Sequence, residues 1–484
     1  MKRVRPTAAL RAGVWVLALL APGCTVGPDY RRPDTPVPDM WSEARYDGID
    51  TRPADLARWW EEFNDPGLTR LVQRAAGSSL DLRLAEGRIR EARALRRVAE
   101  SGAWPAVDLR GAYSRSRTSE NAFASSSQGS GGSSSTGGGN RGQDLFRAGF
   151  DSSWEVDVFG GVRRSVESAD ATVEATIEDR RDVLVTLLGD IARNYIDLRG
   201  FQRRLAVAQN NLKAQQESLE ITGVRFQAGL ANYLQVSQAE AQVNTTAAEI
   251  PALEALSKQA AHRLDVLLGI QPGALSAELS TEAPIPALPP QAHVGLPSEL
   301  LRRRPDIRRA ERQLAAANAE IGVATADLYP KFSLSGAFGV QSISASDWFS
   351  APSRFWSIGP TIRWPIFDAG RIRANIEVRS ARQEQAFTQY EKTVLTAFED
   401  VENALVSYAK EQVRYRYLMD AVVANRRAVA MADELYKNGL VDFLNVLDSQ
   451  RALYSAESDV AQSEAAMATN LVALYKALGG GWEN

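Results

Sequence analysis

The stretch Phe146-Arg147-Ala148-Gly149-Phe150-Asp151-Ser152-Ser153-Trp154-Glu155-Val156-Asp157-Val158 alternates with period two. Phe146, Ala148, Phe150, Ser152, Trp154, Val156 and Val158 fall on one face of an extended strand, opposite Arg147, Gly149, Asp151, Ser153, Glu155 and Asp157. Upstream, Val107, Leu109, Gly111 and Tyr113 oppose Asp108, Arg110, Ala112 and Ser114, so the two segments read as a β-hairpin over 106–158. A second hairpin over 331–367 repeats the pattern with Phe332, Leu334, Gly336, Phe338 and Val340, then Trp356, Ile358, Pro360, Ile362, Trp364 and Ile366. Aromatics gather near both ends of these runs. Strands of about ten residues, apolar outside, polar inside and ringed by aromatics, mark an outer-membrane barrel. Two half-buried hairpins of a soluble sandwich are the alternative, but the flanking segments read as helices rather than as more strands. Four strands do not close a barrel, since about eight is the smallest number observed, and open edges in lipid leave backbone groups unsatisfied. The chain therefore supplies part of a barrel that at least two copies complete.

The hairpins belong to an internal duplication. Leu80-Asp81-Leu82-Arg83, Ala85-Glu86, Trp104-Pro105 and Leu109-Arg110-Gly111-Ala112-Tyr113 correspond to Pro305-Asp306-Ile307-Arg308, Ala310-Glu311, Tyr329-Pro330 and Leu334-Ser335-Gly336-Ala337-Phe338. Trp154, Gly160, Gly229-Leu230 and Leu268-Gly269 correspond to Trp364, Gly370, Gly439-Leu440 and Leu478-Gly479. The spacing shortens between the two sets because the first copy carries Ser125 to Asn140, almost entirely Ser and Gly, as a coil-like loop insertion. The first repeat spans 64–270, with a long helical hairpin over 160–268, and the second spans 298–479, with its helical hairpin over 370–478. A Pro-rich linker, 271–297, joins them, and 480–484 forms a short tail.

The helices are longer than an ordinary globular domain needs. Gly160 to Gln227 holds no proline, and Gly370 to Lys437 holds no internal glycine or proline, which gives roughly 100 Å of helix each at 1.5 Å per residue. Return helices run near Leu230–Leu268, with a kink expected at Pro251, and near Leu440–Leu478. Their Ala, Glu, Gln and Arg content, with apolar residues every three to four positions, fits packed coiled helices.

At the N-terminus, Lys2, Arg3, Arg5 and Arg11 precede an apolar run from Ala12 to Ala21. A basic start, a short apolar core and a small-residue cleavage site are the parts of a secretory signal peptide, here 1–23. The run is half of the roughly twenty residues a transmembrane helix needs. The chain's single cysteine, Cys24, has no internal disulfide partner, and Ala21-Pro22-Gly23-Cys24 resembles a bacterial lipoprotein cleavage box. That resemblance implies S-diacylglycerol and N-acyl (palmitate-type) lipid on Cys24, with Thr25 permitting outer-membrane sorting. Acyl chains contribute roughly 0.8 kcal/mol per buried methylene to such an anchor.

Removing four basic residues with the signal takes the formal charge from −3 to −7, which argues against a nucleic-acid partner. His262 and His293 are the only histidines and lack ligand spacing, so neither a metal site nor a Cys nucleophile is expected. There is no phosphate-cradling loop and no nucleophile elbow. The expectation is a protein that is not an enzyme and carries no cofactor beyond its lipid.

Gly27-Pro28-Asp29-Tyr30-Arg31-Arg32-Pro33, Leu301-Arg302-Arg303-Arg304-Pro305-Asp306-Ile307, Asp448-Ser449-Gln450-Arg451 and Leu478-Gly479-Gly480-Gly481-Trp482 resemble the OprM/NodT-type outer membrane factors, efflux lipoproteins of the TolC superfamily. The likeness spans nearly the whole mature chain. It implies a mainly α fold with a membrane β-barrel portion. Three chains would form a homotrimer with a twelve-stranded barrel, four strands per chain, above a twelve-helix periplasmic tunnel. An equatorial domain would come from 24–63 and the linker. The family also implies the function: the outer-membrane exit duct of a tripartite efflux system, passing small molecules such as drugs outward. A periplasmic adaptor and an inner-membrane transporter of RND type would open it.

The same resemblance assigns residues. Gly229, Leu230 and Ala231, and their counterparts Gly439, Leu440 and Val441, would be the tips that meet the adaptor. Leu444, Asp448 and Arg451 occupy i, i+4 and i+7 on one helix and match the periplasmic gate. Leu444 would give an apolar constriction and Asp448 an acidic ring that Arg451, three residues on, partly offsets. The first copy has Leu234, Gln238 and Ala241 there, so only the second carries the ionic gate. Tyr436 matches a tyrosine that latches neighbouring coils. Gln235 stands at its usual acidic partner position and Val441 at a usual arginine position, so this latch would rest on weaker hydrogen bonds. Two other functions fit the same sequence: the outer-membrane duct of a type I protein secretion system, and a coiled-coil lipoprotein scaffold that never conducts.

Overall fold

A computed structural model describes residues 25–43, 49–50, 52, 56–117 and 142–482. The signal peptide, Cys24 and the Ser125–Asn140 insertion lie outside the described residues. In chain order the strands are β1 (Ile49–Asp50), β2 (Ala106–Ser116), β3 (Gln143–Val156), β4 (Ala292–His293), β5 (Lys331–Ser342) and β6 (Arg354–Arg363). The helices are α1 (Pro66–Ser78), α2 (Leu80–Ser101), α3 (Gly161–Gln227), α4 (Tyr233–Leu267), α5 (Ser276–Leu279), α6 (Pro297–Arg303), α7 (Pro305–Ala326), α8 (Arg371–Lys437) and α9 (Phe443–Ala477).

The duplication survives in the element lengths. α2 and α7 have 22 residues each, α3 and α8 have 67 each, and α4 and α9 have 35 each. The ends of α3, α4, α8 and α9 carry the same closure, a left-handed glycine at Gly229, Gly269, Gly439 and Gly479. At the first of these, Leu230 N–H donates to Arg225 O at 2.8 Å and Gly229 N–H to Phe226 O at 3.0 Å, the paired bonds of a Schellman cap. α4 continues through Pro251 without interruption.

Contacts divide the chain into two compact units: Met1–Arg31 with Ala92–Val173 and Gln313–Ala386, and Arg32–Glu91 with Glu174–Arg312 and Phe387–Asn484. The first unit holds an antiparallel sheet in the order β2-β3-β5-β6. Register places Leu109, Phe150, Phe338 and Trp356 in one row across the sheet, with Gly336 opposite Ile358 and then Phe332 opposite Ile362 further along in the same direction. This face is exposed although apolar, with Leu109 at 72% and Trp356 at 76%. The other face carries Arg110, Asp151 and Arg147, paired at 3.4 and 3.6 Å. Among the described residues, each outer strand, β2 and β6, has one unpaired edge. Pro360 sits on β6, where a missing N–H is tolerated. The expected strand ends move inward. β6 stops at Arg363 rather than near Phe367, because Pro365 has no ladder donor. β3 stops at Val156, because Asp157 turns to accept from the Val162 and Arg163 amides and cap α3.

In the same unit, the residues just after Cys24 are strapped down. Buried Arg164 donates to Val26 O at 3.1 Å, to Gly27 O at 3.3 Å and to Asp29 Oδ1 at 2.7 Å. Asn318 donates to Pro28 O at 2.9 Å. Gly27 has φ +91°, and a Cβ there would lie 2.4 Å from Gly322 Cα. Gly27→Val combines backbone strain with overpacking against backbone and is expected to destabilise the fold by about 3 kcal/mol. The thermal unfolding midpoint of the detergent-extracted protein checks this, and an unchanged midpoint would refute it.

The second unit holds the main core. Trp41, Trp59, Trp60 and Phe63 from the N-terminal segment, and Leu279, Ile285 and Val294 from the linker, pack with Leu188, Ile191, Tyr195, Tyr408, Leu471 and Tyr475 of the long helices. The linker is more structured than its prolines suggest: β4 pairs in parallel with β1, and Trp41 Nε1 donates to Gly295 O at 3.1 Å.

No described helix is long and apolar enough to cross a membrane.

Candidate functional site

The second unit also contains the two helical turns, α3–α4 and α8–α9. Gly229 and Gly439 adopt φ +72° and +74° with open space around them, and Leu230 and Leu440 project beside them, 68% and 70% exposed. Ala231 and Val441 follow at half-buried positions. At the second turn, Leu440 N–H donates to Leu435 O at 2.9 Å and Gly439 N–H to Tyr436 O at 2.9 Å. Asn232 caps α4 by accepting from the Gln235 amide at 3.0 Å, whereas Asp442 makes no such bond to α9.

Behind the turns lies a small core of Ala239, Ala432, Tyr436, Phe443, Val446 and Leu447, with Leu219 and Val441 against it. It faces one side of α9. The opposite side presents Leu444, Asp448 and Arg451, all exposed, so the three assigned gate residues form one solvent-facing stripe. Arg451 stands only at the edge of ion-pair distance from Asp448, 4.0 Å. Its Nε is directed to Gln242 Oε1 at 2.5 Å instead.

Polar contacts tie α9 to its neighbours above the turn. Gln450 donates to Ser218 Oγ at 2.8 Å. Arg426 pairs with Glu457 at 2.8 Å. Tyr454 donates to Glu249, and burial together with that carboxylate pushes its phenol well above the ordinary value.

Tyr436 departs from the expected latch. Its ring is buried, and its hydroxyl finds no hydrogen-bond partner among the described residues, nor does Gln235 Oε1. The weaker hydrogen bonds expected through Gln235 are therefore not formed among the described residues. What Tyr436 has instead is Arg225, whose guanidinium lies 4.5 Å from the ring centroid and whose Nη1 donates to Tyr436 O at 3.1 Å. Sequence reasoning missed Arg225. The available signal was a basic residue in the last turn of a long helix, where it can reach free carbonyls.

A second missed residue is Arg304. It grips Asp306 through two bonds, of 2.9 and 2.7 Å, and Asp400 at 3.0 Å, and donates to Ala477 O at 3.1 Å. Burial works against its charge, but Asp306 and Asp400 outweigh this and hold the guanidinium above its ordinary value. Among the described residues no group of three or more His, Cys, Asp or Glu side chains is placed to hold a metal.

The family model described as "Outer membrane efflux protein" matches residues 71–270 and 296–480. Nodulation protein T of Rhizobium leguminosarum bv. trifolii is 34% identical over 475 residues, covering 96% of each chain. The pyoverdine export outer membrane protein OpmQ of Pseudomonas aeruginosa is 34% identical over 432 residues, 89% of each. A solved structure of the outer-membrane channel OprN superposes with TM-score 0.87 at 38% identity, covering 95% of this chain and all of that one. With the family model matched over both repeats and relatives above 30% identity covered almost end to end, the chain belongs to the outer membrane efflux protein family.

Proposed function

We propose that three copies of this chain form a passive exit duct through the outer membrane, the outermost part of a tripartite efflux assembly. The observation that carries this is the four-stranded sheet: its apolar face is exposed and both of its edges are unpaired. In lipid such a sheet is stable only when other copies pair with those edges. Three copies make twelve strands, and the same symmetry gathers the long helices into a twelve-helix periplasmic tunnel. Leu444 and Asp448 then meet their symmetry mates as an apolar constriction and an acidic ring.

Gly229-Leu230-Ala231 and Gly439-Leu440-Val441 offer apolar tips, open to close backbone approach, for the hairpin of a periplasmic adaptor. An RND-type transporter beneath supplies the energy, and lipid on Cys24 tethers each chain to the membrane. Export of pyoverdine by the relative OpmQ, as its name states, favours small-molecule cargo over secreted protein. No step of this cycle asks the chain for catalysis. Native mass spectrometry of the detergent-extracted complex tests the assembly: three chains are expected, and a monomer or a dimer would rule it out.

A further inference from the structure

The orphaned hydroxyl of Tyr436 and the unassigned Arg225 stand at the same place, at the ends of α8 and α3. The duplication aligns Gly229 with Gly439, so Arg225 corresponds to Leu435 and Phe226 to Tyr436. The two copies have diverged at adjacent positions, one acquiring a guanidinium and the other a phenol ring that it stacks on. Both residues also close their own caps with backbone carbonyls: Arg225 O accepts from Leu230 at 2.8 Å in the first, and Tyr436 O accepts from Gly439 at 2.9 Å in the second.

The guanidinium therefore sits between two caps. Its Nη1 donates to Tyr436 O at 3.1 Å and to Lys437 O at 3.4 Å, carbonyls at the negative end of α8. It lies over the buried ring, whose centroid is 5.5 Å from that of Phe443 at the start of α9. Beneath it Tyr436, Phe443, Val446 and Leu447 form the core on the far side of the gate helix from Leu444 and Asp448.

We infer that Arg225 is a positioning residue that locks the two turns of one protomer together through the ring and backbone of Tyr436, and that the tyrosine hydroxyl plays no part in the lock. Ring and planar cation supply the contact, so the lock needs an aromatic at 436 and a guanidinium at 225. Its connection to the gate rests on the duct proposed above. Displacing either turn, as an adaptor would, strains the lock and moves the core that sets α9.

Two measurements on the full-length reconstituted protein test it. In hydrogen exchange of the segment Tyr436–Leu440, Arg225→Gln is expected to speed exchange about tenfold although the change lies on the other turn. Tyr436→Leu is expected to match it and Tyr436→Phe to leave exchange unchanged. Arg225→Lys, which keeps the charge and loses the plane, is expected to fall between. In single-channel recordings, Arg225→Gln and Tyr436→Leu should each raise open time several-fold, with the double variant no stronger than either alone. Tyr436→Phe acting as strongly as Tyr436→Leu would overturn the inference in favour of a hydroxyl latch. Unchanged exchange in Arg225→Gln would overturn it outright. Faster exchange with silent channels would keep the lock and remove its link to gating.

Discussion

Arg304→Met is expected to cost the second unit about 3 kcal/mol, the range seen when one partner of a buried ion pair is removed. The Arg304 side chain is only 11% exposed, and it joins three separate places: Asp306 at the start of α7, Asp400 on α8, and Ala477 O at the end of α9. Methionine fills much of the volume but leaves Asp306 without its bidentate partner and the α9 carbonyl without a donor. The site cannot easily collapse, because the left-handed turn at Gly479 packs on Arg304, where a Cβ would lie 3.0 Å from Arg304 Cγ. Arg304→Lys is expected to recover little of the loss, since an ammonium cannot reproduce the fork that binds Asp306. Denaturant or thermal unfolding in detergent checks this; a loss below about 1 kcal/mol in Arg304→Met would show that the network contributes little.

Arg304 also shows where reading the sequence stops. Leu301 to Ile307 is recognisable as a family mark, but nothing periodic announces that its third arginine reaches Asp400, 96 positions on, and Ala477, 173 positions on. The strap of Arg164 over Val26 and Gly27 is hidden for the same reason, as is the pairing of β1 with β4. Each is a single contact between distant segments and leaves no local pattern. What is legible is what repeats. Period-two alternation locates all four strands of the large sheet, absence of proline gives the long helices, and glycine at corresponding positions gives the turns. The misplaced strand ends have local causes, Pro365 and Asp157, that compete with the alternation. Gly229, Leu230, Gly439 and Leu440 were found because a cap has a sequence signature. Arg225 was not, because its value lies in the ring across from it.

The stripe of Leu444, Asp448 and Arg451 carries the largest functional expectation. Within one chain these side chains are exposed and Arg451 is drawn to Gln242 at 2.5 Å, so they are free to meet copies of themselves. The first repeat, with Leu234, Gln238 and Ala241 at the same places, has no ionic ring to offer. In the proposed duct the second helical hairpin would supply the narrowing, and the first would brace it through Arg225, Ser218 and Gln242. Removing both the constriction and the ring, in Leu444→Ala with Asp448→Ala, should relieve the steric and the electrostatic barrier without touching the buried core behind α9. Leu234→Ala with Gln238→Ala, the corresponding change in the first repeat, is expected to have a far smaller effect.

Single-channel conductance in a planar bilayer tests the exit duct most directly. The account predicts discrete, passive steps, with Leu444→Ala/Asp448→Ala conducting at least about tenfold more than the unaltered protein, a barrier change of roughly 1.4 kcal/mol. A double variant that assembles as a trimer yet stays electrically silent would contradict it.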